Sequence, residues 1–171
     1  MERRMRIHST FVLAAALLAL AACGKSPGER AAEAAIEQAT GGKADVDAKT
    51  GKVEIKGDDG SKMTISGGAD AKLPATFPKD MYLPADYKVL SVMEMPNAMV
   101  VQLDAKGELA ALADAAGKKM ASEGWKQRLS MQQSADQTIT MYEKDKRSAT
   151  VSFVDDAEPG VKVSLQLAQQ Q

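Results

Sequence analysis

The rhythm of apolar and polar positions changes along this chain, and each change marks an element. Phe11 to Ala22 are apolar without a break. As a helix that run rises about 18 Å, too short for the roughly 30 Å hydrocarbon core of a bilayer. Arg3, Arg4 and Arg6 precede it, and small residues end it. This order predicts a secretory signal peptide over residues 1–22. Residues 23–28, with Pro27 and Gly28, read as a short tether. Glu29 to Gly42 is rich in Ala and Glu and predicts a helix that Gly41-Gly42 ends; its apolar side is alanine plus Ile36. Up to residue 68 the period is two. Val46, then Val53 and Ile55, then Met63 and Ile65 alternate with polar residues around Thr50-Gly51 and Asp58-Asp59-Gly60. That pattern predicts a three-stranded meander.

Residues 69–88 carry Pro74, Pro78 and Pro84, together with Leu73, Phe77, Met81, Tyr82, Leu83 and Tyr87. So apolar a segment is expected to lie across a surface and pin the two halves together. In residues 89–171, Val89–Met93 and Met99–Leu103 flank Pro96-Asn97 and predict a hairpin. Leu109, Leu112, Ala113, Ala116 and Met120 fall on one face of a helix, with Asp104 placed to cap its start and Gly124 its end. Four strands follow: Trp125, Leu129 and Met131; Ile139 and Met141; Ala149, Val151 and Phe153; Val161, Val163, Leu165 and Leu167. The expected fold is α+β: a short helix and meander, then an antiparallel β-β-α-β-β-β-β sheet covered on one face by a helix.

The cysteine changes the picture most. Leu20-Ala21-Ala22-Cys23 resembles the bacterial lipobox. The resemblance implies cleavage before Cys23, with Leu20, Ala21 and Ala22 recognised by the signal peptidase, and fatty chains of the palmitate type added at Cys23. Cysteine suits this chemistry because a thiolate is a far better nucleophile at neutral pH than a serine hydroxyl. Two or more acyl chains hold a protein stably on a bilayer. Gly24 stands where enteric-type lipoproteins retained in the inner membrane carry aspartate, which favours the outer membrane, facing the periplasm. Lys25-Ser26 resembles a retention signal of some pseudomonad lipoproteins and argues for the inner membrane. The runs ATGGKADVD, DDGSKMTIS and LPATFPKD are similar to segments of an uncharacterised family of small bacterial membrane lipoproteins. That resemblance implies no catalytic residue.

Charge and composition then narrow the function. The net charge is −1, and removing residues 1–22 leaves −3. No basic stripe with interleaved aromatics is present, which argues against a nucleic-acid partner. The one histidine, His8, lies in the signal segment, and the one cysteine is the lipidation site. The mature chain therefore lacks the residues of Ser-His-Asp or Cys-His catalysis and of common zinc sites. No cofactor is implied. Asp155, Asp156 and Glu158 are a conceivable carboxylate calcium site without EF-hand spacing. Met93, Met95 and Met99 are weak candidates for soft Cu(I) ligation, against a plainer role filling the core. Trp125 is expected to anchor the core. The favoured function is a non-enzymatic, lipid-anchored envelope lipoprotein that binds an envelope protein through its sheet; the alternative is a periplasmic copper or small-ligand carrier.

Overall fold

The computed structural model describes residues 24–155 and 160–169. The elements run α1 (Pro27–Thr40), β1 (Lys43–Asp47), β2 (Lys52–Lys56), β3 (Lys62–Gly67), β4 (Tyr87–Met95), β5 (Ala98–Ala105), α2 (Leu109–Ser122), β6 (Lys126–Ser134), β7 (Gln137–Lys144), β8 (Arg147–Asp155) and β9 (Val161–Gln169). All nine strands belong to one antiparallel sheet in the order β1-β2-β3-β4-β5-β9-β8-β7-β6. The fold is thus mostly β, with a helix packed on the sheet. The meander is continuous with the rest, because β3 pairs directly with β4.

Helix α1 begins earlier than its composition suggested. Ser26 accepts from the Glu29 amide while the Glu29 carboxylate accepts from the Ser26 amide, a capping box with Pro27 in the first turn. Residues 27 and 28, expected in the tether, are therefore helical. Gly41, at φ 73°, ends the helix in the left-handed conformation that glycine adopts freely. No residue of α1 is buried.

Cross-strand register shows how the core is assembled. One row reads Asp47, Lys52, Ser66, Val92, Val101, Leu165, Val151, Thr140 and Ser130 from β1 to β6. Directly opposed residues share a face, so this front face is polar over β1–β3 and apolar from β4 to β8. The neighbouring row on the back reads Val46, Val53, Ile65, Met93, Val100, Gln166, Thr150, Met141 and Leu129. It is apolar from β1 to β5, polar at Gln166 and Thr150, and apolar again at Met141 and Leu129. Apolar side chains change faces at β4 and β5.

Over the front of β6–β8 lies α2, burying Leu112, Ala116 and Met120 in one core cluster with β8 residues such as Phe153 and Val151. The helix does not cover the whole face. Met81 and Tyr82, from the proline-rich segment, are buried in the same core, and Leu73, Phe77 and Leu83 pack against it. Asp104 does not cap α2. It lies in β5, 3.5 Å from the Lys162 ammonium, and Glu108 takes the cap position without a side-chain bond. Gly124, at φ 85°, follows the helix as expected.

Candidate functional site

Three features carry candidate chemistry: a charged clamp, two clefts that share Glu94, and the two edges of the sheet. The clamp is built on Asp80. Its carboxylate receives both terminal nitrogens of Arg147, at 3.0 and 2.7 Å, and the Lys144 ammonium at 2.7 Å. The Asp80 side chain is 19% exposed. The Arg147 bonds, with Lys144 assisting, hold this carboxyl well below the ordinary carboxylate range against the opposing cost of burial. The Arg147 guanidinium also lies 4.9 Å from the centre of the Trp125 ring. Trp125 is 3% exposed, and its indole N–H donates to the Asp80 carbonyl at 2.9 Å. Strand β8, the proline-rich segment and the turn after α2 are locked together here. Both ends of the fork engage one carboxylate, so Arg147 serves the clamp and not an incoming anion. Trp125 anchors the core.

A cleft of about 250 Å³ opens beside the clamp, lined by Thr76, Glu94, Met95, Met99, Arg147 and Leu167 among others. Within it Thr76 donates to the Glu94 carboxylate at 2.9 Å. A second, more open cleft of about 690 Å³ lies on the polar front of β2–β4, with Lys52, Lys62, Lys72, Thr64, Ser66 and Glu94 in its wall. Lys52 and Lys62 both bind Glu54, at 2.6 and 3.0 Å, and draw its carboxyl down to about 2. Each of these two clefts contains a single carboxylate, Glu94.

The three candidate methionines do not converge. Met93 pairs with Val100 on the back of the sheet, whereas Met99 pairs with Glu94 on the front. Only Met95 and Met99 reach the same cleft, at the tip of the β4–β5 hairpin. Among the described residues no group of three or more His, Cys, Asp or Glu side chains is placed to hold a metal. Asp156 and Glu158 lie outside the described residues, as do Leu20, Ala21, Ala22 and Cys23. Among the described residues no helix is long and apolar enough to cross a membrane.

The sheet edges differ sharply. Helix α1 runs beside β1, and three of its carboxylates accept from alternate amides of that strand and the residue beyond it. Glu37 accepts from Ala44 at 3.0 Å, Glu33 from Val46 at 2.8 Å and Glu29 from Ala48 at 2.9 Å. The spacing explains the fit. Four helical residues rise about 6 Å and two strand residues about 6.8 Å, so glutamates at i, i+4 and i+8 meet every outward amide in turn. Glu29 is held below its usual range by the Ala48 and Ser26 amides, and Glu33 by Lys25 and then the Val46 amide. That edge is closed.

Among the described residues nothing covers the β6 edge in this way, and all nine residues of the strand are exposed. Leu129, Met131 and Met141 stand 41%, 42% and 43% exposed on the back. The alternation of Trp125 with Leu129 and Met131 suggested one inward face. A bulge between Gln127 and Leu129 breaks it: Gln127 pairs with Tyr142 on the front and Leu129 with Met141 on the back. The apolar pair is thereby turned outward. In β7 it is Thr140 and Tyr142 that are buried, while Met141 points out. The carboxylate ladder of α1 escaped sequence reasoning altogether, although Glu29, Glu33 and Glu37 at four-residue spacing were its visible trace. Comparison with protein-family models, with curated proteins and with solved structures finds no match to this chain, so its site is defined by geometry alone.

Proposed function

We propose that this protein is a lipid-anchored, periplasm-facing envelope lipoprotein without catalytic activity. Acyl chains on Cys23 hold it, at the outer membrane in preference to the inner, and it binds an extended segment of an envelope protein along β6. The bare β6 edge carries this reading. A strand with unpaired backbone groups takes up a further strand readily, and side-chain pockets beside it then select the partner. Leu129, Met131 and Met141 supply an exposed apolar strip next to that edge. The closed β1 edge supports the same reading, since it leaves β6 as the sheet's receptive end. The copper reading has less support, because only Met95 and Met99 share a cleft and Arg147 lines it too.

Two measurements test the proposal. Intact-mass spectrometry of the processed protein is expected to show acyl chains on an amino-terminal Cys23; a free thiol there defeats the anchor. A photo-crosslinking residue at Met131 is expected to give one discrete adduct in intact cells, and one at Lys52 none. Identical adduct patterns from the two positions, or none from Met131, defeat the binding edge.

A further inference from the structure

The back of β1–β3, continued by Met93 and Val100, is an apolar surface that stays partly exposed, with Ile55 alone buried in it. Every charged residue within β1, β2 and β3 lies on the front: Lys43, Asp45 and Asp47, then Lys52, Glu54 and Lys56, then Lys62. The back of the same strands holds only Ala, Val, Ile, Met and Gly, and the apolar row continues through Met93 into Val100. Val46, Val53, Met63, Ile65, Met93 and Val100 are all partly exposed. None belongs to the hydrophobic core or packs against it. A contiguous apolar row that stays outside the core and partly exposed on a folded domain marks a contact surface.

Position in the chain says what it contacts. Pro27 opens α1 and lies four residues after Cys23, a reach of about 14 Å at full extension. Helix α1 in turn is bonded along β1, the outer strand of this half. An acylated Cys23 therefore keeps this half, and not the β6 end, within reach of the lipid surface. The back of β1–β3 carries no charged or polar side chain, so it enters the interfacial region at little desolvation cost, and each methyl group adds to the binding.

We propose that the Val46–Val53–Ile65–Met93 face lies against the bilayer as a second, non-covalent contact beside the acyl chains. This rests on acylation of Cys23 as proposed above. It leaves β6 free, because five strand-to-strand steps separate β3 from β7. At roughly 20° of twist per step the two apolar patches diverge by about 100°. Polar Gln166 and Thr150 lie between them in the same row.

The test uses the full lipidated protein in phosphatidylethanolamine–phosphatidylglycerol vesicles whose acyl chains are brominated. With Ile65→Trp, the emission added over wild type is expected to fall by roughly half relative to unbrominated vesicles, as for a ring in the acyl boundary. Val53→Trp is the second reporter, in case the first substitution disturbs folding. Wild-type emission from buried Trp125 and that added by Lys52→Trp on the front are expected to be unchanged. Equal emission at positions 53 and 65 with and without bromine overturns the proposal. So does concentration-dependent dimerisation without quenching, which would assign the face to a second copy. Intact mass separates the two readings: acylated protein without quenching keeps the anchor and removes the face contact, whereas quenching of unacylated protein removes the anchor and keeps the contact.

Discussion

The body formed by β5 to β9 and the wing formed by β1 to β3 share one hydrogen-bonded sheet and are stabilised in different ways. In the body, α2 and the proline-rich segment bury one apolar face, and Val101, Leu103, Val151, Val163 and Leu165 are fully enclosed. In the wing, Ile55 alone is buried among the large apolar side chains, at 9% exposure. The wing is held by strand pairing, by the α1 carboxylates and by the Lys52–Glu54–Lys62 group. The comparison teaches that sheet continuity does not imply core continuity. Hydrogen bonds extend the sheet through β1, while the main hydrophobic core stops at β4.

The strongest way to break this comparison is truncation in the body. Phe153→Ala removes a fully enclosed ring that meets Tyr82 at 6.2 Å. It is expected to cost about 3–5 kcal/mol in urea denaturation, against about 1 kcal/mol or less for Ile65→Ala in the wing. Similar losses at both positions would mean that the wing has a core of its own.

Next is the clamp. Asp80→Ala leaves Arg147 and Lys144 without their carboxylate and is expected to cost about 2–3 kcal/mol. The pH dependence has a definite sign. The folded carboxyl lies below its unfolded value of 3.8, so the unfolded chain binds more protons in acid. The clamp's contribution is complete above that value and fades as pH falls below it toward the folded value. Wild-type stability in acid should therefore drop more steeply than that of Asp80→Ala; parallel curves would rule the clamp out.

A smaller effect is expected at the closed edge. Glu33→Ala removes the acceptor of the Val46 amide. Hydrogen exchange at Val46 should accelerate roughly a few-fold with the body amides unchanged. Unchanged protection at Val46 would show that the edge is closed by packing alone. Smallest of all, Met131→Glu on exposed β6 should alter stability by about 0.5 kcal/mol or less. The same substitution should abolish crosslinking from a reporter placed at Leu129. A large stability loss would show that β6 is part of the core.

Much of this architecture was legible in the residues. The alternations at Val46, Val53 and Ile55, Met63 and Ile65, and Val161 to Leu167 each became a strand, and Leu112, Ala116 and Met120 became the buried face of α2. What escaped notice depends on a single residue or on partners distant in sequence. One extra residue near Arg128 turns Leu129 and Met131 to the opposite face, and a period-two pattern does not register an insertion of one. The α1 glutamates read as helix formers because their partners, Ala44, Val46 and Ala48, are backbone amides with no side-chain signature. Ser26 and Glu29 did carry the capping-box spacing, hidden by the proline and glycine between them. Asp80 gave no hint of the clamp, since Lys144 and Arg147 lie more than sixty residues away.

The place of β9 in the sheet has one more consequence. It is the last of the described strands in sequence, yet it sits between β5 and β8, so a nine-residue strand is the keystone of the sheet's middle. The α1–β5 and β6–β8 portions are linked through α2 but share no strand pairing until Val161–Gln169 is in place between them. Deleting Val161–Gln169 would therefore divide the sheet at its centre instead of trimming an edge.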